Sequence, residues 1–356
     1  MRGVTEPFAP FTTERLTIRA FRPDDADVVA AYRNDPDVAR YQDWPMPYPP
    51  ERAVRVVGEY ARVGTEPAVG QHRQLAIELD GTLIGDIALD LDETGTVGHI
   101  GYSLARRYHG HGYAIEAVGA LVDRVFGTRP EVHRIRSAAD PLNLPSIRLL
   151  EGLGFVDEGV ARQSELIRGE WLDDARFGLL RREWEAWRAR PTAPPDDVRF
   201  VEITPEMVRP VGRLTTFGWQ RHLVAPNLVS LAEALVPEDD DAGGRLVPWY
   251  RAIEADGELV GFVMVAEPTA TLPDAFLWRL MIDRRHQRRG IGQRALDLVI
   301  GQARSWAAPG VLLGWESGLG SPARFYERNG FVPTGEVVGD ETFARLTLAP
   351  LSDPSQ

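Results

Sequence analysis

LWRLMIDRRHQRRGIGQRALDLVIGQA, Leu277 to Ala303, and HIGYSLARRYHGHGYAIEAVGALVDRVF, His99 to Phe126, are the two stretches on which the fold turns. Each opens as a strand, ending at Ile282 and Leu104. Each then passes through closely spaced glycines, Gly290 with Gly292 and Gly110 with Gly112, into a long helical pattern. Bare N–H groups at a helix start make an anion cradle, and the helix dipole adds to it. Glycines there let a phosphate approach the main chain with no Cβ in the way. An ordinary tight turn would explain a single glycine pair. Two copies at equivalent places point instead to a phosphate-bearing ligand. The dinucleotide fingerprint G-x-G-x-x-G does not fit, because the third glycine and the surrounding strand order are wrong for it.

Working outward, the halves repeat. Gly112 and Gly290 are 178 residues apart (112 to 290), and Gly154-Phe155 and Gly330-Phe331 are 176 apart (155 to 331). Each half opens with an alternating strand, RLTIRAF from Arg15 and VRFVEI from Val198, followed by Pro and Asp signals that start a helix. Each also carries two strands joined by Asp-Gly, at Asp80-Gly81 and Asp256-Gly257, the pair a two-residue hairpin prefers. The order read in each half is β-α-α-β-β-β-α-β-α-β-β. The proline-rich RPTAPPDD, Arg190 to Asp197, breaks the pattern. The expected organisation is a domain over 10–190, a linker over 191–197 and a second domain over 198–350.

Composition agrees with this division and excludes several chemistries. A chain of 356 residues fits two domains at about 150 residues each. Its net charge of −12 argues against a nucleic-acid partner. Cysteine is absent, which removes disulfides, thiolate metal sites and a cysteine nucleophile. All 40 basic residues are arginine, so Schiff-base lysines and Gly-Lys-Ser/Thr phosphate loops are excluded. Arginine-biased codon usage explains the missing lysine; selection against self-modification by an amine-modifying enzyme is the other reading. MRGVTEPFAP lacks the apolar run of a signal peptide, and no run is long enough to span a membrane. The expected location is cytoplasmic, with no membrane partner.

QRRGIG, Gln287 to Gly292, resembles the R/Q-x-x-G-x-G/A pyrophosphate motif of the GNAT N-acetyltransferase superfamily, and HGHGYA, His109 to Ala114, occupies the same place with His109 at the first position. The first half, with NLPSIRLLEGLGF, is similar to ribosomal-protein alanine acetyltransferases; the second, with FYERNGF, is similar to bacterial polyamine acetyltransferases. The resemblance implies an α/β (α+β) fold of two tandem GNAT domains. Each would be a mixed, mostly antiparallel sheet flanked by helices, split between its fourth and fifth strands to admit acetyl-CoA. It assigns the cosubstrate to Leu104, His109, Gly110, His111, Gly112, Tyr113, Ala114 and Asn143 in the first half. In the second it assigns Ile282, Gln287, Arg288, Arg289, Gly290, Ile291, Gly292 and Gln293.

Acetyl transfer from a thioester to an amine needs an amine deprotonated, a carbonyl oxygen stabilised and a thiolate protonated. By resemblance, the backbone N–H groups near Leu104 and Ile282 serve the carbonyl. Tyr326 matches the family's acid, with a packed helix aromatic as the other reading; its counterpart Leu150 cannot donate a proton. Asn143 would hold pantetheine and Ser146 would donate the proton in the first half, with helix capping as the alternative for each. His99 is the candidate base there, with a half-buried surface histidine as the other reading, while Glu267, Glu316 or a water chain stand open in the second half. His99, His109 and His111 also suggest a metal site, but the second half keeps the glycines without either loop histidine, and no metal is expected. The aromatic segment around Trp44 and the acidic run Asp239 to Asp241 are expected to cover the acceptor clefts. The expected reaction is direct transfer to a primary amine, a polyamine or aminoglycoside-like cation ahead of a protein N-terminus. The alternative is one active domain beside a non-catalytic CoA-binding one. The sequence does not fix the oligomeric state.

Overall fold

The computed structural model describes residues 10–62, 69–239, 243–318 and 320–349. It divides into two compact units, Met1–Ala189 and Arg190–Gln356. The first unit runs β1 (Phe11–Thr12), β2 (Leu16–Arg19), α1 (Ala26–Arg33), α2 (Pro36–Ala39), α3 (Pro50–Arg62), β3 (His72–Leu79), β4 (Thr82–Leu91) and β5 (Val97–Leu104). It continues through α4 (Tyr113–Thr128), β6 (Arg134–Ala139), α5 (Leu144–Gly152), β7 (Val156–Ile167), β8 (Glu170–Leu180) and α6 (Arg181–Arg188). The second unit runs β9 (Val198–Val201), α7 (Val208–Arg213), α8 (Asn227–Leu235), β10 (Pro248–Ala255), β11 (Glu258–Ala266) and β12 (Ala275–Ile282). It ends with α9 (Ile291–Ser305), β13 (Gly310–Glu316), α10 (Ala323–Arg328), β14 (Val332–Val338) and β15 (Glu341–Thr347). The first unit adds β1, the one-turn α2 and α6 to the order read from sequence.

Each unit holds one mixed, mostly antiparallel sheet flanked by helices. The strand orders are β1-β2-β3-β4-β5-β6-β8-β7 and β14-β15-β13-β12-β11-β10-β9. The hairpins form as the Asp-Gly pairs require, with φ of 47° and 78° at Asp80 and Gly81 and of 52° and 80° at Asp256 and Gly257. Two positive values in succession match the right-handed twist of the flanking strands. Helix α9 buries Ile291, Ala295, Leu296, Val299 and Ala303 against Val263, Val265, Leu277, Val311 and Leu313 of the sheet. That spacing is the apolar stripe of an amphipathic helix, and each buried Val or Leu contributes roughly 1.5–3 kcal/mol before entropy is counted.

The start of the long helix is tied to the chain leading into the first main strand in both units, by opposite chemistry. In the first, Glu116 accepts from Arg15 N and Nε at 2.9 and 2.7 Å. In the second, Arg294 donates to the carbonyls of Pro195 and Asp196 at 2.5 and 2.8 Å. Asp256 also accepts from Asp196 N and Asp197 N. The proline-rich stretch read as a linker is therefore held against the second unit over Pro195 to Asp197.

Candidate active site

Among the described residues one pair of the named strands in each sheet is parallel, and it is short. β5 pairs with β6 through Val97 to His99, and β12 pairs with β13 through Ala275 and Phe276. Beyond Ile100, whose carbonyl still accepts from Ser137 Oγ of β6 at 3.0 Å, and from Leu277 to Ile282, the strands have no backbone pairing and leave a gap. Ala105 N donates to Ile84 O and Asp283 N to Val260 O, both at 2.8 Å, towards the other neighbour. Successive N–H groups of an extended strand point to opposite edges, so Leu104 N–H and Ile282 N–H face the gaps.

Gly85 and Gly261, the register partners of Leu104 and Ile282, make this geometry possible. A Cβ at Gly85 would lie 2.2 Å from Ser103 O, and one at Gly261 would lie 2.4 Å from Met281 O. The strand carbonyl leans on a neighbour that has no side chain. Sequence reading missed both residues, although they recur 176 positions apart (85 to 261).

The glycine turns close alike. Gly112 and Gly290 cap α4 and α9 with φ of 81° and 77°, and neither helix has a side-chain cap. The first backbone N–H groups of both helices are left without an intrahelical partner. No described atom lies within 4 Å of a Cβ at Gly290, whereas one at Gly112 would meet Arg15 Nη2 at 3.4 Å. This donor set fits a pyrophosphate. The motif's first side chain makes the same bond in both units: His109 Nε2 lies 2.9 Å from Leu104 O, and Gln287 Nε2 lies 3.1 Å from Ile282 O. A carbonyl only accepts, so His109 carries its proton on Nε2. His109 thus reproduces the glutamine's bond, tying the cradle to the end of the split strand. Gly110 and Arg288 share a left-handed backbone, φ 78° and 63°.

Some predicted side chains point elsewhere. Arg289 is buried, with Nε on Ala193 O at 2.8 Å and Nη1 on His286 Nδ1 at 3.0 Å. Gln293 Nε2 donates to Asn329 and Asp297. For both, only the main chain is left to serve the cradle. His111 stacks on Tyr113, whose ring also meets Tyr108 edge-on at 6.4 Å and the Arg15 guanidinium, 4.6 Å from the ring centroid. Ala114 and Ile291 supply main chain at the helix starts. Arg15 borders the cradle from a position 97 residues before Gly112 (15 to 112), where no local pattern marks it.

In the second unit a cavity of about 600 Å³ joins these parts. Gln287, Arg288, Ile291 and Gly292 line one region, the free length of β12 another, and Tyr326, Glu316 and Glu341 a third. Tyr326 is 9% exposed and stacks on Trp315 at 6.0 Å. Its hydroxyl has no hydrogen-bond partner among the described residues, and burial pushes the phenol well above its ordinary range. Glu316 and Glu341 stand opposite each other across β13 and β15. Glu267 does not line the cavity.

In the first unit, Leu150 stands where the second has Tyr326 and is fully buried. Asn143 caps α5 through a long contact, Oδ1 to Ser146 N at 3.4 Å. The Ser146 hydroxyl has no partner among the described residues, while its carbonyl accepts from the Tyr102 phenol at 3.3 Å. His99 lies 3.7 Å from Asp90. No group of three or more His, Cys, Asp or Glu side chains is placed to hold a metal among the described residues. Within the aromatic segment, Trp44 itself is buried, with Nε1 donating to Arg33 O at 3.0 Å, and packs in the core with Val29 and Tyr48. Of the acidic run, Asp240 and Asp241 lie outside the described residues. No described helix is long and apolar enough to cross a membrane.

Residues 15–156 match the acetyltransferase (GNAT) domain model, and residues 216–331 match that of the acetyltransferase (GNAT) family. Uncharacterized N-acetyltransferase p20 of Bacillus licheniformis is 35% identical over 176 residues, 48% of this chain and 96% of the relative. The ribosomal protein uS5 alanine N-acetyltransferase of Escherichia coli (strain K12) is 34% identical over 90 residues, 25% of this chain and 46% of the relative. The crystal structure of a GNAT-family acetyltransferase from Bacillus anthracis is 26% identical, covers 49% of this chain and 99% of its own, and superposes with a TM-score of 0.44. The chain belongs to the GNAT acetyltransferase family, with one GNAT domain in each half, and is an acetyl-CoA-dependent acyltransferase.

Proposed function

We propose that the second half acetylates the primary amine of a cationic small molecule, a polyamine or an aminoglycoside-like compound, by direct transfer. The observation that carries this is the pair Glu316 and Glu341, opposed in the same cavity as the cradle and Tyr326. Like charges directly opposite on a sheet destabilise it, and a bound polycation relieves that repulsion. The similarity of FYERNGF to polyamine acetyltransferases supports the same acceptor class. In the step itself, Ile282 N–H donates to the thioester carbonyl oxygen, and the amine lone pair forms the new C–N bond as C–S breaks. The acceptor's ammonium first releases one proton to water; Tyr326 O–H then hands its proton to the departing thiolate, and the second proton shed by the attacking nitrogen returns through water to the phenolate. Its burial keeps the phenol protonated until that moment. The absence of cysteine leaves no thiol for an acetyl-cysteine intermediate.

The first half carries the same cradle with different polar groups. We assign His99 as its base and Ser146 as its proton donor, with Asn143 on the pantetheine. A second reading, in which it binds acetyl-CoA without turnover, draws support from Leu150. Acetyl-CoA consumption screened against polyamines, aminoglycosides and amino-terminal peptides tests the acceptor class. Glu316→Gln and Glu341→Gln are expected to raise KM for cations alone. Turnover confined to peptides, with KM unchanged in both variants, would refute the proposal. Calorimetric titration then counts one acetyl-CoA site or two.

A further inference from the structure

Across three adjacent strands of the first unit, His72 on β3 is in register with Asp90 on β4, and Asp90 with His99 on β5. Residues in register share a face of the sheet, so the three side chains form one row. Asp90 Oδ1 is 2.7 Å from His72 Nδ1, and Asp90 Oδ2 is 3.7 Å from His99 Nδ1. His72 Nε2 is 2.9 Å from Gln74 Oε1, and the Gln74 amide is oriented by its own donation to Asp86 at 2.7 Å. Both ring nitrogens of His72 therefore face acceptors, and only the doubly protonated imidazolium satisfies both. The hydrogen bond to Asp90 raises His72 above its ordinary range. Asp90, against the desolvation that would raise it, is held well below the usual carboxylate range by His72 and His99.

His99 differs from His72. Its Nδ1 stands at ion-pair distance, 3.7 Å, from the second Asp90 oxygen, its side chain is 45% exposed, and Nε2 has no partner among the described residues. It is also the last residue of β5 paired with β6, where the gap begins. The second unit's register equivalents are Pro248, Ala266 and Phe276. That sheet folds without the charges, so the fold itself does not demand the row.

We propose that Asp90 and His72 are positioning residues for His99 as the proton acceptor of the first half. His72 is a fixed cation that balances Asp90, and Asp90 aims His99 with Nε2 outward. The proposal rests on the reading of His99 as base. In the step, the acceptor's ammonium N–H bond breaks and His99 Nε2 takes the proton. The lone pair stays on the amine for attack, and the imidazolium then releases the proton to solvent. The other groups facing the row are Tyr60 of α3, 5.8 Å from the His72 ring, Asp86, and Arg136, the β6 partner of His99.

The test is a histidine NMR titration of the full chain, paired with pH profiles of kcat/KM in a Tyr326→Phe background. His72→Gln leaves Asp90 unbalanced, so the His99 midpoint and the acid limb are expected to move up together, on the order of half a pH unit for half-exposed groups. His72→Lys restores the cation and is expected to return both. Asp90→Asn is expected to lower kcat/KM roughly tenfold. A His99 midpoint unmoved by His72→Gln and by Asp90→Asn overturns the row. A midpoint that moves while the Tyr326→Phe chain has no turnover for His99→Ala to remove overturns the base reading beneath it.

Discussion

Replacing Gly261 by alanine perturbs the split strand at its root. The added Cβ would stand 2.4 Å from Met281 O, where ordinary contact begins near 3.4 Å. The obstacle is backbone, which cannot swing aside as a side-chain tip would, so the end of β12 must move by about 1 Å. Ile282 N–H, which we assign to the thioester carbonyl, moves with it. Overpacking of this kind costs roughly 1–3 kcal/mol. At about 2–4 °C per kcal/mol for a domain of this size, the melting temperature drops by as much as about 12 °C. A misplacement of about 1 Å at a reacting centre costs on the order of 100-fold in rate. Gly301→Ala is the control: it lies inside α9 with open space around its Cβ, and is expected to stabilise by roughly 0.5–1 kcal/mol with turnover intact. Thermal unfolding and steady-state acetyl transfer measure both quantities. Wild-type stability and kcat in Gly261→Ala would refute the argument that the leaning carbonyl requires glycine.

Tyr326→Phe is expected to lower kcat by roughly 100-fold or more while leaving stability unchanged or up to about 1 kcal/mol higher, because the buried hydroxyl gives up no protein hydrogen bond; kinetics and urea unfolding of one preparation decide it. Arg288→Gly is expected to stabilise the second unit by about 1–2 kcal/mol by releasing a left-handed arginine, yet to weaken acetyl-CoA binding, read by calorimetry. Stability against pH tests the His72–Asp90 pair. The raised His72 contributes below its unfolded value near 6.5 and loses its contribution as pH rises through the folded one. The lowered Asp90 contributes above about 3.9 and loses its contribution as pH falls. The urea-unfolding difference between wild type and Asp90→Asn should therefore be greatest between about pH 4 and 6.5, and stay under about 1 kcal/mol because both groups are half-exposed.

Much of the fold was legible because its signals are local. Asp80-Gly81 and Asp256-Gly257 announce hairpins through their own φ preferences, and Gly112 and Gly290 mark helix starts that a side chain would strain. The bond from His109 to Leu104 was not legible. Histidine and glutamine look unlike in sequence, yet place a donor at the same distance from the strand. Gly85 and Gly261 read as unremarkable strand residues, because their reason is a carbonyl about twenty positions away (85 to 103, 261 to 281). Arg289 looked like a phosphate ligand by its place in the motif, but burial turns its guanidinium onto Ala193 O. The row His72, Asp90 and His99 stayed hidden because strand register, not spacing along the chain, brings it together.

The two copies separate what this geometry requires from what it leaves free. Gly85 and Gly261, Gly112 and Gly290, and the bonds from His109 and Gln287 preserve one backbone arrangement at the cradle and the split strand. Even the left-handed turn persists where Gly110 is answered by Arg288. The polar side chains further along β4 are not preserved in this way. Asp86 and Asp90 are answered by Phe262 and Ala266, at the same offset of 176 positions (86 to 262, 90 to 266). Asp86 accepts from the Tyr32 phenol and from Arg33 Nη2, the latter at 3.2 Å, whereas Phe262 lies in an apolar cluster with Val211, Ala252 and Met264. A buried charge network costs desolvation that a phenylalanine avoids, so stability alone gives no reason to keep Asp86. Divergence of side chains around a preserved backbone cradle is the pattern expected when both halves keep one cosubstrate and part company over the acceptor. An amine turned over by one half should therefore leave the KM of the other half's acceptor unchanged.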